Sequence, residues 1–461
     1  FIFGAVLGLL LTFAVGASKS EHDLSLELDK LVSFDTVSSI IDDWRDVLPQ
    51  PLNLMLSDFE KKQQDEQLHG SAELFLVGRR LAGMNYTAKF NVIMVPGTVL
   101  TGIELWGLEG PEDLTDCKLE PFFRKRLWGS FFMLKTMVLD KACWLKHIML
   151  DPETGLDPPG VILRAALGFE AADFFMAGYW IWNKILQNLA VIGYGPNNML
   201  SAAYDWRLAY LDLERRDAFF SKLKSNIELL LRANKQKTIL VGHLMGLQVI
   251  HYFMKWAEAE GPLYGNGGKS WCNDHLEAIV DISGSSLGTP KAITALLSGE
   301  MKDTNQLNSL AIYGLEKFFS RRERLDMLRT FGGIPSMFPK GGDTIWGDLL
   351  RAPDDLLHTS HDSNLEDTLV SRDLPTLEDT FGTFIRFKNT SVDVEGVNAH
   401  KSTSLTIDGA IDLTLEQLPE WFANRVREQY LFGIARTKEE LEANNNDHLK
   451  WLNPLEAALP Y

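Results

Sequence analysis

The residues whose types and spacing could do chemistry lie in Thr238-Ile-Leu-Val-Gly242-His243-Leu244-Met245-Gly246-Leu247, followed by Gln248-Val-Ile-His-Tyr-Phe-Met-Lys-Trp256. A short apolar run predicts a buried strand, and the amphipathic stretch after it predicts a helix. Glycines two before and two after one central residue fit a turn too tight for side chains at those places. A serine at the centre of such an elbow presents its hydroxyl as a nucleophile, and the chemistry is acyl transfer through a covalent intermediate. Here the central residue is Leu244. Leucine has no proton to lose and no lone pair to attack a carbonyl, so the elbow is sterically complete and chemically empty. Taken alone, two glycines around Leu244 also fit an ordinary strand-to-helix turn.

Other reactive side chains are weaker candidates. Ser283, Ser285 and Ser286, in Asp281-Ile-Ser-Gly-Ser-Ser-Leu-Gly-Thr-Pro290, follow a strand, but no helix opens directly behind them, so they read as a structural loop. His243 points the wrong way along the strand to serve as base for its neighbour and reads as packed or hydrogen-bonded. His251, on the following helix, reads as structural. His358-Thr-Ser-His361-Asp362 carries metal-binding residue types without a third rigid ligand and reads as a solvated loop. The three cysteines, Cys117, Cys143 and Cys272, show no zinc-ligand spacing. Neither a metal nor a cofactor is expected.

The elements that must position the elbow can be read around it. Phe90 to Gly97, Met199 to Trp206, Thr238 to Gly242 and Ala278 to Ser283 are short apolar runs suited to buried strands, and an amphipathic helix is expected from about Leu211 to Ala233. Strands alternating with helices predict an α/β fold with a doubly wound parallel sheet. With the elbow in it, this is the arrangement of α/β-hydrolases. Residues 18–83 read as a peripheral segment with a helix near Glu66 to Arg80, and 84–461 as the main domain. Within it, 285–430 breaks the rhythm like a large insertion and is polar from His358 to Thr380.

The chain has 461 residues and a formal net charge of −17, with 45% hydrophobic and 23% charged residues. That composition excludes a polytopic membrane protein and a wholly disordered chain, and its acidity argues against nucleic acid as a partner. Phe1 to Ala17 is uncharged and does not begin with Met. It is expected to be a truncated single membrane anchor, with a signal-peptide core or a buried helix as the alternatives. Two sequons, Asn85-Tyr86-Thr87 and Asn389-Thr390-Ser391, fit an oxidising, glycosylating compartment. In such a compartment Cys117 and Cys143 could close a loop and leave Cys272 free.

Several blocks occur in one order: Met94-Val-Pro-Gly97 with Thr101-Gly-Ile-Glu-Leu-Trp106, Arg124-Lys-Arg-Leu-Trp-Gly-Ser130, Asp151-Pro-Glu-Thr-Gly-Leu-Asp-Pro158, Gly178-Tyr-Trp-Ile-Trp182, Tyr204-Asp-Trp-Arg207, Gly261-Pro-Leu-Tyr-Gly-Asn-Gly-Gly268 and Gly299-Glu-Met-Lys-Asp303. Together, from roughly Leu52 to Pro460, they resemble the fungal phospholipid:diacylglycerol acyltransferases of the lecithin:cholesterol acyltransferase family. The resemblance implies an α/β-hydrolase domain in the lumen of the endoplasmic reticulum behind one membrane anchor. It implies acyl transfer from phospholipid to diacylglycerol, giving triacylglycerol, without a cofactor.

On that resemblance Leu244 stands where the family has its nucleophilic serine, and the N–H groups of Met245 and of Thr98 or Val99 would form the oxyanion hole. Cys117 and Cys143 match the family's disulfide-closed lid loop, and Trp144 beside it would touch the acyl chain. Asp205 would be structural, tying down Arg207. The family's catalytic Asp and His would fall beyond Tyr461, so the chain is expected to be incomplete and impaired as an enzyme. A non-catalytic lipid-binding protein and a phospholipase are the rival readings. The sequence leaves the oligomeric state open.

Overall fold

The computed structural model describes residues 76–107, 123–130, 133, 136, 140–176, 179–180, 182–299, 319–348, 382–387, 404–429 and 433–456. Phe1–Ala17, Cys117, His358, His361, Asp362 and Asn389 lie outside them. Among the described residues no helix is long and apolar enough to cross a membrane.

The strands in chain order are β1 (Asn91–Val95), β2 (Ile103–Leu105), β3 (Arg126–Trp128), β4 (Leu163–Ala165), β5 (Phe174–Met176), β6 (Tyr179–Trp180), β7 (Met199–Ser201), β8 (Thr238–His243) and β9 (Leu276–Ile282). The helices used below are α1 (Leu76–Gly83), α2 (Lys141–Ile148), α3 (Asn183–Val191), α4 (Tyr210–Asp217), α5 (Phe219–Asn234) and α6 (Met245–Glu258). The central sheet has the order β7-β1-β8-β9, and every pairing in it is parallel. All five residues of β1 are buried, as expected of a parallel strand covered on both faces. A smaller antiparallel sheet, β3-β2-β4, follows β1 in the chain.

The order of the central strands already places a site. From β1 the chain goes on to β7 on one side, whereas from β8 it goes through α6 to β9 on the other. Ligands of open α/β sheets bind beyond the carboxyl ends of the strands where the winding reverses in this way. Here that place is between the ends of β1 and β8, at Pro96-Gly97 and Leu244.

Two sequence expectations need correction. The strand expected over 199–206 stops at Ser201, because Tyr204 to Arg207 turns inward and is buried. The single helix expected over 211–233 is two, α4 and α5, broken where Ala218 takes the left-handed conformation at φ 49°. The described parts of 285–430 pack onto the sheet: Ile293, Phe331, Phe338, Ile407 and Phe422 share one hydrophobic core with Ile93, Val95 and Trp206. Of the helix expected near 66–80, the described part is α1. It lies against α3, with the Gly78 N–H donating to Asn188 Oδ1 at 2.8 Å.

Beside that core lies a cluster of buried charge. Arg207, fully buried, donates to Asp205 Oδ2 at 2.6 Å and to Asp157 Oδ1 at 3.1 Å. Arg216 reaches Asp205, Asp157 and Asp217, and Arg164 reaches Asp157 and Asp217. Three carboxylates thus face three guanidinium groups, so the cluster is neutral as a whole. Arg207 also donates to the Ile148 carbonyl at 2.8 Å, fastening the end of α2. Asp205 is therefore a structural residue, as expected. Burial pushes its carboxyl up, but Arg207 and then Arg216 outweigh burial and hold it well below the usual carboxylate range.

A carboxylate whose folded pKa is depressed contributes stability above its unfolded value, about 3.9, and that contribution is lost as pH falls toward the folded value. Removing one partner of a buried pair costs about 3–5 kcal/mol. Asp205→Asn should therefore lower unfolding free energy by about that much at pH 7, with the deficit narrowing below about pH 4. Urea unfolding of both chains at pH 7 and pH 3.5 measures it, and a deficit that grows on acidification contradicts the assignment.

Candidate functional site

The residue between β8 and α6 is held in a conformation that L-amino acids avoid. Leu244 has φ 50° and ψ −122°, a strain that costs on the order of 1–3 kcal/mol and persists only where surrounding structure imposes it. Its N–H donates to the Ile282 carbonyl at 3.2 Å, and its carbonyl accepts from the Leu247 N–H at 3.2 Å. The glycines expected to shape the elbow do so by absence of side chain. A Cβ on Gly246 would lie 2.2 Å from the Val95 carbonyl oxygen and 2.6 Å from that of Pro96, and one on Gly242 would lie 2.7 Å from Leu247 Cα. A Cβ on Gly97 would lie 2.9 Å from Leu244 Cβ. The elbow and the loop after β1 therefore meet backbone to backbone.

That loop is shaped as tightly as the elbow. Val99 has φ 58°, an outlier for a β-branched residue. The Leu100 N–H donates to the Gly97 carbonyl at 3.4 Å. Trp128, on β3, donates its indole N–H to the Val99 carbonyl at 2.7 Å, and Trp206 donates to the Thr101 carbonyl at 3.2 Å. Met245 is the first residue of α6, where a backbone N–H has no acceptor within its own helix. Leu244, Thr98 and Val99 are half-buried and Met245 fully buried. The structure thus sets the elbow of Leu244 and Met245 against the corner from which the loop of Thr98 and Val99 leaves, and a helix N-terminus there favours negative charge.

Two histidines flank the elbow in the chain, His243 before it and His251 on α6. His243 packs edge-on against Trp182, ring centroids 5.6 Å apart. Its Nδ1 is buried without a hydrogen-bond partner, and burial lowers its pKa. His251 is half-buried on α6, with its pKa lowered by burial against the opposing charge of Asp281. Among the described residues no cluster could hold a metal ion.

The structure places Trp144 in the core. It is 1% exposed in the core, its indole N–H donates to the Leu127 carbonyl at 2.8 Å, and it meets Phe319 edge-on. The cause is the face of α2 that carries Cys143, Trp144, His147 and Ile148, which is turned inward. Cys143 is disulfide-bonded, whereas Cys272 is a free thiol.

One supporting residue was missed. Gln248, wholly buried on α6, accepts from the Tyr210 hydroxyl at 2.9 Å and donates to the Ser285 carbonyl, tying the loop after β9 to the elbow helix. The signal was present as a lone amide on a stretch otherwise filled by Leu247, Val249, Ile250 and Phe253. Ser285 is thus a loop residue held through its backbone. Ser283 sits at φ 52°, in a turn closed by the Gly284 N–H on Asp281 Oδ1 at 2.5 Å.

Comparison with known proteins decides the family. The model of the lecithin:cholesterol acyltransferase family matches residues 122–461. The chain belongs to that family. It is 52% identical over 462 residues to the phospholipid:diacylglycerol acyltransferase of Saccharomyces cerevisiae, covering 100% of this chain and 66% of the relative. It is 46% identical over 463 residues to the Schizosaccharomyces pombe protein of the same name, covering 100% of this chain and 67% of the relative. Phospholipid:diacylglycerol acyltransferase 1 of Arabidopsis thaliana is 43% identical over 282 residues, 60% of this chain and 41% of the relative. The chain spans about two thirds of the length of the two fungal relatives.

The family's elbow is fixed here by backbone contact, which makes its glycines sensitive to a single methyl group. Gly246→Ala should destabilise the chain by roughly 1–3 kcal/mol, because neither the Val95 nor the Pro96 carbonyl can retreat cheaply. Gly83→Ala, where an added Cβ meets nothing within 4 Å, serves as control and should cost nothing. Thermal unfolding of the two variants compares them, and equal midpoints would show that the elbow tolerates a side chain there.

Proposed function

We propose that this chain carries the elbow and oxyanion-hole part of a phospholipid:diacylglycerol acyltransferase. The observation that carries the reading is Leu244, held at φ 50° and ψ −122° between Gly242 and Gly246 against the loop of Thr98 and Val99. That backbone serves a serine nucleophile whose tetrahedral intermediate is met by the N–H groups of Met245 and of Thr98 or Val99. A phospholipid ester is already an activated acyl donor, so the reaction needs no cofactor. Diacylglycerol is the acceptor, and keeping water from the acyl-enzyme separates transfer from hydrolysis. With leucine at 244 the chain as written lacks the attacking oxygen and is impaired in this reaction.

The setting is proposed on the same footing. Phe1–Ala17 serves as the anchor in the endoplasmic-reticulum membrane, and the rest of the chain lies in the lumen. Cys117 pairs with Cys143 to close a lid loop over 117–143, a reading supported by the bonded state of Cys143 beside the free Cys272. A loop of that length adds on the order of 3 kcal/mol in the chain-entropy model. Asn85 is exposed, as a glycosylated residue must be. Treatment with a glycosidase should increase gel mobility of the protein from sealed microsomes, and protease sensitivity without any such shift would place the domain on the other side.

Leu244 itself favours a second reading, a lipid-binding protein without turnover. One experiment separates the readings. Loss of a triad serine costs about 10⁶-fold in turnover, and losing its histidine as well costs little more. Leu244→Ser alone should therefore stay inactive. Leu244→Ser with the remaining third of a fungal relative's length appended should make triacylglycerol from labelled phospholipid and diacylglycerol, and the Leu244 chain so extended should not. Free fatty acid as the sole product would mark a phospholipase, phospholipid binding without product the second reading. Robust synthesis by the unaltered chain would overturn the account of Leu244.

A further inference from the structure

We propose that Trp128 is the positioning residue of the oxyanion loop, its indole N–H holding the Val99 carbonyl and so the left-handed turn that sets the Thr98 and Val99 N–H groups; the catalytic part of this inference rests on the function proposed above. Val99 is β-branched and sits at φ 58°, a conformation that L-residues leave unless something fixes the neighbouring peptide. The bond on its carbonyl is the 2.7 Å donation from Trp128 Nε1.

Trp128 is itself fixed from two sides. Its residue pairs with Ile103 where β3 meets β2. Its ring lies 5.0 Å from that of Trp206, which packs edge-on against Phe331 and donates to Thr101 two residues beyond Val99. Trp206 in turn stands between Asp205 and Arg207, the centre of the buried charge cluster. The turn at Val99 is thus fastened through two indoles to the buried charge cluster.

The arrangement also couples two parts of the site. Trp128 lies inside the 117–143 segment proposed as the lid, yet its N–H serves the loop after β1. Displacing β3 would release the Val99 carbonyl and let the strained turn relax. The oxyanion hole is therefore complete only while β3 stays paired with β2.

The test uses the 461-residue chain and hydrogen exchange read by mass spectrometry over residues 97–101. Trp128→Phe should speed exchange there about tenfold, the value of one hydrogen bond, while peptides of β8 and α6 keep their rates. Because that variant also removes ring area, Trp128 is replaced in parallel by benzothienylalanine, which keeps the bicyclic shape and lacks the N–H. It should give the same acceleration. Unchanged exchange over 97–101 with the analogue in place overturns the proposal, whatever becomes of the acyltransferase reading. In the extended Leu244→Ser protein, the analogue should lower kcat roughly 10²-fold with KM for phospholipid unchanged, as for loss of an oxyanion donor. A rise in KM at constant kcat would instead make Trp128 a binding residue and overturn the positioning role.

Discussion

The site depends on one close approach, the backbone of the Val95-Pro96-Gly97 corner against the backbone of the elbow at Leu244 and Gly246. No Cβ fits between the two at Gly246, where it would meet a carbonyl oxygen at 2.2 Å. So close an approach fixes where α6 begins relative to the end of β1 and to the loop of Thr98 and Val99 that follows it. Side chains adapt by rotating, whereas peptide groups packed on one another do not. The two turns at the reversal of the sheet are held rigidly for that reason, with strain stored at both Val99 and Leu244.

Strain stored at two neighbouring turns must be opposed by something stiffer. The buried charge cluster supplies it on one side: Asp205 and Arg207 flank Trp206, and Arg207 also holds the end of α2 through the Ile148 carbonyl. On the other side Gln248 ties Tyr210 to the Ser285 backbone across the elbow helix. Buried ion pairs are weak evidence for net stability, since their desolvation offsets their attraction. What they provide here is position, because every member has its partners in fixed directions and none can move without leaving a charge unpaired.

The parts of this architecture legible in sequence were those set by local pattern. The strands at 91–95 and 238–243 follow from apolar runs ended by Pro96-Gly97 and by the elbow glycines, and the blocks around them placed the chain in its family. Tyr204-Asp-Trp-Arg207 was read as a continuation of β7 in part, because an apolar and aromatic run looks like strand until the carboxylate and guanidinium are seen to find buried partners on Asp157 and Arg216. The break at Ala218 left no signal, since alanine is the best helix former and its left-handed state is imposed by tertiary packing. A place for Trp144 at an acyl chain is implied by the family resemblance, whereas its burial is set by the inward face of α2, which a helix of eight residues does not announce in sequence.

The leucine at 244 separates two properties that a serine would have left fused. Its φ and ψ are set by Gly242, Gly246 and the bond to Ile282, none of which involves the side chain at 244, while Gly97 leaves room for the Cβ that any residue but glycine would carry there. An elbow of this shape is thus encoded by its surroundings, and the chemistry is added by one residue. The strain on that residue is then present whether or not anything uses it: leucine, with a branched apolar side chain half-buried at a helix N-terminus, meets the same backbone cost as serine and contributes no oxygen. A turn selected only to join β8 to α6 could relax by accepting a methyl group at Gly246 and withdrawing from Val95. This one keeps its close approach to Val95 and Pro96, so the strain at 244 is held by backbone contact and not by the residue that bears it.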